Sequence, residues 1–297
     1  MTRSEELFIA FIGYSETNFS IMLSSKNILF VCLLSFLLVI GSSAQQPATS
    51  PRPQESEAQK DQQKARSWLD QMIQAMGGKA NLTLQDSFTR ARYGRFHNEA
   101  LVGGTVFYRY WKWPDEERYE LTEQRDVVEL YLGDKAYEVT YQGSRSLDPQ
   151  KDQNLKQILI RRHFALERIL REWINQPGTL LLDEGPTLAD NKMTEKITII
   201  NSKDEAVSLL IAPDTHLPVQ KTFTVRDPQS HYRDQEDEIY DNWRMVQGIN
   251  TPYSVVIQRN GLIARQTYIL DIAYNIHPPA ITFTPVLINR EKETKKK

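Results

Sequence analysis

Cysteine is almost missing from this 297-residue chain, and the single one, Cys32, sits inside the apolar run 28–40. With that run removed, no thiol remains for a disulfide framework, a thiolate nucleophile or a thiolate metal ligand. An excess of charge is missing too: 36 basic residues oppose 38 acidic ones, so nothing marks a nucleic-acid footprint. Catalytic signatures are equally scarce. There is no Gly-x-Ser-x-Gly elbow, no His-Glu-x-x-His pair, no phosphate loop and no dinucleotide fingerprint. The run 28–40 is itself short: 13 residues make about 20 Å of helix against a hydrocarbon core of about 30 Å.

That run follows Lys26 and ends in Gly41, Ser42, Ser43 and Ala44. This is the order of a secretory signal, with cleavage after Ala44. An uncleaved anchor is the alternative. Residues 22–44 give a signal of ordinary length from Met22, and 1–21 read as an over-extended N-terminus. Attachment of a lipid needs a cysteine directly after the small-residue site, whereas Cys32 lies well inside the apolar segment. Export without cysteine suggests a bacterial envelope protein, periplasmic or secreted. Residues 45–62, rich in Gln, Pro, Ser and Glu, read as a flexible tether, 63–286 as one folded domain, and 287–297 as a basic tail.

Within the domain, Ala65, Trp68, Leu69, Met72, Ile73 and Met76 recur at helical spacing, and Gly77-Gly78 supplies a left-handed stop. Short β-rich runs follow at 87–96, 104–111, 117–123, 126–132 and 136–141. A second helix is predicted over 154–174, before Pro177-Gly178. Strands resume at 179–183, 195–200, 206–211, 218–225 and 238–245. The last pair, 251–259 and 262–274, is joined by Asn260-Gly261, a dipeptide suited to a tight hairpin because both residues take positive φ. That turn pairs Arg259 with Leu262 and Tyr253 with Tyr268, placing Tyr268, Leu270 and Ile272 on the apolar face. The predicted class is α+β: a large curved antiparallel sheet, an unclosed half-barrel of about ten strands, wrapped over two or more helices. A closed barrel without helical filling is the structural alternative.

Three segments carry a family resemblance: Ala75-Met76-Gly77-Gly78, Asp214-Thr215-His216-Leu217-Pro218, and Asn242 to Ile249 followed by Thr251-Pro252-Tyr253. They resemble signatures of the outer-membrane lipoprotein-sorting (LolA-like) superfamily. The resemblance implies an antiparallel half-barrel whose concavity holds helices and a hydrophobic groove for acyl chains. It implies a lipid or a lipidated protein as ligand, an outer-membrane or envelope protein as partner, peripheral membrane contact and no cofactor. The signatures are turn and strand chemistry, so they speak for fold more than for activity.

On that expectation Trp68, Phe107, Trp111, Arg162, Leu166 and Trp173 are the candidate groove residues, with ordinary core as the alternative for each. Arg162 falls near the centre of an apolar stripe made by Leu155, Ile158, Leu159, Leu166, Ile169, Leu170 and Trp173. A guanidinium there needs an acid, backbone carbonyls, a ligand headgroup or a helix break. His163 and Glu167 read as a helical surface pair, and 234–241 as a solvated acidic turn. Asn81-Leu82-Thr83 matches a glycosylation sequon by coincidence. No catalytic residue and no metal site is predicted. A non-enzymatic interaction or sensor module is the second reading, and a secreted hydrolase the third.

Overall fold

The computed structural model describes residues 57–226 and 232–288, all within one compact unit, Pro53–Lys297. The signal 22–44, the segment 1–21, Cys32 and the end of the tail lie outside the described residues. Among those described, no helix is long and apolar enough to cross a membrane.

The chain opens with α1 (Glu57–Ala75) and the short α2 (Lys79–Leu82). One meander follows: β1 (Asp86–His97), β2 (Ala100–Lys112), β3 (Glu116–Leu121), β4 (Val127–Leu132), β5 (Lys135–Thr140) and β6 (Gly143–Leu147). Helices α3 (Gln153–His163) and α4 (Leu166–Arg171) and a 3-10 turn (Trp173–Asn175) lead to a second meander. This comprises β7 (Leu180–Ala189), β8 (Lys192–Ile200), β9 (Ala206–Ile211), β10 (Pro218–Arg226), β11 (Arg233–Val246), β12 (Ile249–Arg259) and β13 (Leu262–Tyr274). The meanders join where β1 pairs with β13, giving one antiparallel sheet of 13 strands with β6 and β7 at opposite edges. Those edges do not pair, which overturns the closed-barrel alternative. Because β6 and β7 lie at opposite edges, the chain between them must cross the sheet, and α3 and α4 are that crossing.

Helix α1 starts at Glu57, inside the segment predicted as tether. Residues 57–64 are exposed, so apolar periodicity gave no sign of them. They are good helix formers without Gly or Pro, and Glu57 complements the positive end of the helix dipole. Further along, Ala65, Leu69, Met72 and Ile73 are buried as the spacing predicts. They join Ile169, Leu170, Trp173, Ile197, Ile199, Leu209 and Phe223 in the main core.

The three signature segments meet at this helix. A Cβ on Gly77, which holds φ +120°, would lie 2.7 Å from the Gly248 carbonyl, so that approach requires glycine. The Asn250 side chain donates to the Ala75 carbonyl (2.6 Å) and its backbone N–H to that of Met76 (3.1 Å), closing the helix end. His216 lies 5.4 Å from the Trp68 ring.

The long helix predicted over 154–174 is instead broken at Phe164-Ala165. Ala165 takes an extended conformation, and the freed Phe164 carbonyl accepts from Lys221 Nζ at 2.7 Å. Phe164 also stacks on Phe223, with centroids 4.4 Å apart. The break divides the apolar stripe. Leu155, Ile158 and Leu159 pack with Tyr131 and Ala136, whereas Leu166, Ile169, Leu170 and Trp173 join the main core.

The closing hairpin also departs from the predicted register. Asn260 and Gly261 hold φ +51° and +81°, and Arg259 faces Leu262. A bulge at Ile257/Gln258 then pairs Ser254, not Tyr253, with Tyr268. One inserted residue exchanges the faces. Tyr268 and Leu270 are therefore each 47% exposed, and Tyr253, Val255 and Ile257 share their face with Arg265 and Thr267. Strand β6, polar throughout, was not predicted at all.

Candidate functional site

The helices cover the concave face of the sheet unevenly. Helix α1 lies over β7 and β8, and α3 packs over β4 and β5. Between these flanks, β12, β13, β1 and β2 present Tyr253, Val255, Thr267, Ile269, Tyr93 and Phe107 to the helix side. Their register follows from Val255 facing Thr267, Thr267 facing Tyr93, and Ala91 facing both Ile269 and Phe107. Phe107 is 6% exposed, and the other five side chains are half-buried. An aromatic row crosses the sheet here: Tyr93 to Phe107 and Phe107 to Tyr119 are 5.7 Å between centroids, and Tyr119 to Tyr131 is 6.0 Å.

Charged groups border this strip. Arg109 donates to Glu117 at 2.7 Å. Arg162 donates to the Asp115 carbonyl at 2.7 Å, stands 3.8 Å from Glu117 and lies over the Tyr131 ring. Burial pushes the Glu117 carboxyl up, but Arg109 and Arg162 override it and hold Glu117 below the usual carboxylate range. Burial raises the Tyr119 hydroxyl, and Glu117 adds to the effect. Burial likewise lifts Glu129, although the Tyr131 hydroxyl donates to it at 2.9 Å. Arg265 faces inward from β13 and sits 5.8 Å from the Tyr93 ring centre.

Of the residues marked by the sequence, Phe107 lies in the strip and Arg162 on its flank. Trp111 is buried with Leu84, Ile249 and Tyr274 in a second core. Leu166 and Trp173 belong to the main core, and Trp68 packs against it from α1. Arg162 meets both an acid and backbone carbonyls at the end of α3. The strip residues Tyr93, Tyr119 and Tyr253 and the cations Arg109 and Arg265 were not foreseen. Strand alternation carries the signal for Arg109, which has the same parity in β2 as Phe107 and Trp111.

Two other expectations are corrected. His163 pairs with Glu205 at 2.9 Å rather than with Glu167, because the helix break falls between His163 and Glu167. The acids at 234–241 lie within β11 and not in a turn. Glu236 binds Arg161 at 2.9 Å, Glu238 pairs with Lys221 at 2.8 Å, and Asp237 accepts from Thr222 and Gln220. Among the described residues, no group of three or more His, Cys, Asp or Glu is arranged to hold a metal.

No family model matches the chain, and no curated protein does. Solved structures do. A DUF1329 family protein from Desulfovibrio piger is 12% identical, with a TM-score of 0.53, over 74% of this chain and 97% of that one. A LolA superfamily protein from Nitrosomonas europaea is also 12% identical, with a TM-score of 0.50, over the same shares. The fold is therefore LolA-like: an open antiparallel half-barrel with helices in its concavity.

Proposed function

We propose that the chain is an exported periplasmic carrier that holds the acyl chains of a lipid or a lipidated protein between sheet and helices, with no covalent step and no cofactor. The observation that supports this reading is the half-buried strip Tyr93, Tyr253, Val255, Thr267 and Ile269 beside Phe107, on the concave face between two helix-covered flanks. Acyl chains need a wide apolar surface with few directional contacts, and each buried methylene contributes about 0.8 kcal/mol. Loading moves the α3–α4 side about the break at Phe164-Ala165, and this uncovers Leu166, Trp173, Trp68 and Trp111 as further groove wall. Arg162 stays at the mouth. The cargo passes to an outer-membrane or envelope protein, with peripheral membrane contact.

A second reading, an envelope interaction module with a filled core, draws on exposed apolar residues at neighbouring hairpin ends. Leu101 and Val102 on β2 and Leu262 on β13 are 66%, 59% and 48% exposed. Native mass spectrometry of protein exported into a bacterial periplasm, with solvent extraction of whatever co-purifies, separates the two. Stoichiometric acyl species support the carrier. A clean apo mass that also rejects added phospholipid supports the interaction module.

A further inference from the structure

Resting on the carrier reading, we propose that Arg265, assisted by Arg109, binds the anionic head of the acyl ligand, a carboxylate or a phosphate. Arg265 points into the concavity beside Ile257, which is 4% exposed. Its Nε is buried without a partner, and among the described residues its guanidinium makes no hydrogen bond or ion pair. Other arginines around the concavity are engaged. Arg161 binds Glu236, Arg162 the Asp115 carbonyl, and Arg259 the Gln157 side chain. Arg109 spends one Nη on Glu117, yet its Nε is also buried and unpartnered.

A guanidinium N–H removed from water without an acceptor is costly, so this arrangement suits an acceptor that arrives with the ligand. Of the nearest acids, Glu117 is held by Arg109 and Glu129 accepts from the Tyr131 hydroxyl. Arg265 lies 5.8 Å from the Tyr93 ring centre and Arg109 5.9 Å from that of Tyr119, and the Phe107 ring between them is 5.7 Å from both. A planar fork of donors suits a two-oxygen anion. From Ile257 to Thr251 the strip runs about 20 Å along β12, room for one extended chain below the head.

The test uses the purified full chain loaded with the neutral probe 1-N-phenylnaphthylamine. Palmitate, methyl palmitate, dipalmitoyl phosphatidate and inorganic phosphate are titrated as competitors. Wild type is expected to release probe to palmitate or phosphatidate at concentrations about 10- to 100-fold lower than to methyl palmitate. Arg265→Gln is expected to erase that preference by bringing the palmitate and methyl palmitate midpoints together. Arg265→Lys, which keeps the charge but loses the fork, is expected to restore part of it and serves if the glutamine variant melts early. Equal competition by acid and ester in wild type, or a preference that survives in Arg265→Gln, overturns the anchor and leaves the carrier standing. Release of probe by neither lipid overturns the carrier itself. Loss of the acid preference in excess inorganic phosphate overturns the headgroup assignment in favour of a free-oxyanion site. The stronger of the two lipid anions identifies the head.

Discussion

Replacing Lys221 by Met tests why the crossing helix breaks where it does. Lys221 is fully buried, and its ammonium bonds the Phe164 carbonyl at 2.7 Å and the Glu238 carboxylate at 2.8 Å. Methionine keeps the stem and removes the charge, leaving one carbonyl without its donor and one carboxylate without its cation. Breaking a buried pair on one side costs about 3–5 kcal/mol. Glu238 keeps the Tyr240 hydroxyl (2.8 Å) and the field of Arg161, which places the loss near the lower end, about 3 kcal/mol. With a urea slope of about 2–3 kcal/mol/M, the midpoint falls by about 1 M or more. The pH dependence has an opposite sign in the two proteins. In wild type, burial pushes Glu238 up but Lys221 prevails and holds it low, so its stabilisation is present at neutral pH and lost as pH falls through the folded value. In Lys221→Met burial prevails, so acid protonates Glu238 in the folded state and the deficit narrows. Adding Glu238→Gln should recover part of the loss at pH 7. Urea unfolding followed by tryptophan fluorescence at pH 7 and pH 5 measures all of this. A single-variant loss under about 1 kcal/mol, or a deficit that grows in acid, would refute the reasoning.

Gly77→Ala meets both a positive φ and the Gly248 carbonyl at 2.7 Å, whereas Gly133→Ala at φ +61° meets open space. Thermal unfolding should show a loss of about 1–2 kcal/mol for Gly133→Ala and a clearly larger one for Gly77→Ala. Asn250→Ala removes a donor from the end of α1 and should cost about 1 kcal/mol, read from the urea midpoint. Glu117 is held low by Arg109 and Arg162, so its contribution disappears as pH falls through its folded value. Glu117→Gln should flatten the acid limb of stability against pH, and an unchanged limb would show that other carboxylates set it.

Local devices were legible in the sequence and long-range ones were not. The apolar spacing of α1, its Gly77-Gly78 stop and the Asn260-Gly261 turn are each decided within a few residues, and each appears as read. The helix break at Phe164 depends on Lys221, 57 positions away, capturing a carbonyl that the local sequence would keep inside a helix. The bulge at Ile257/Gln258 leaves no mark in the apolar pattern, yet it decides which face carries Tyr268. Arg265 and Thr267 turn inward for the same reason. The site was harder to read than the fold because its cations alternate with aromatic residues in strands, where charge usually signals solvent.

Why the side chains at the middle of the concavity stay half-buried follows from lengths. Thirteen strands spaced about 4.8 Å apart make a sheet about 58 Å across before curvature. The crossing between its two edges contains α3 and α4, 11 and 6 residues long, or about 16 and 9 Å of helix. Those segments anchor at different places, one on Tyr131 and Ala136 and the other in the main core, and the break between them is held by Lys221 and Phe223 of β10. A continuous helix over 154–174 could anchor on only one line. Two short helices joined at Phe164-Ala165 hold both flanks, and Tyr93, Tyr253 and Arg265 on the strands beneath stay half-buried. Additional helix over those side chains would bury them and stabilise the fold, and on the carrier reading it would also prevent loading, so the half-buried strip and the broken crossing belong together.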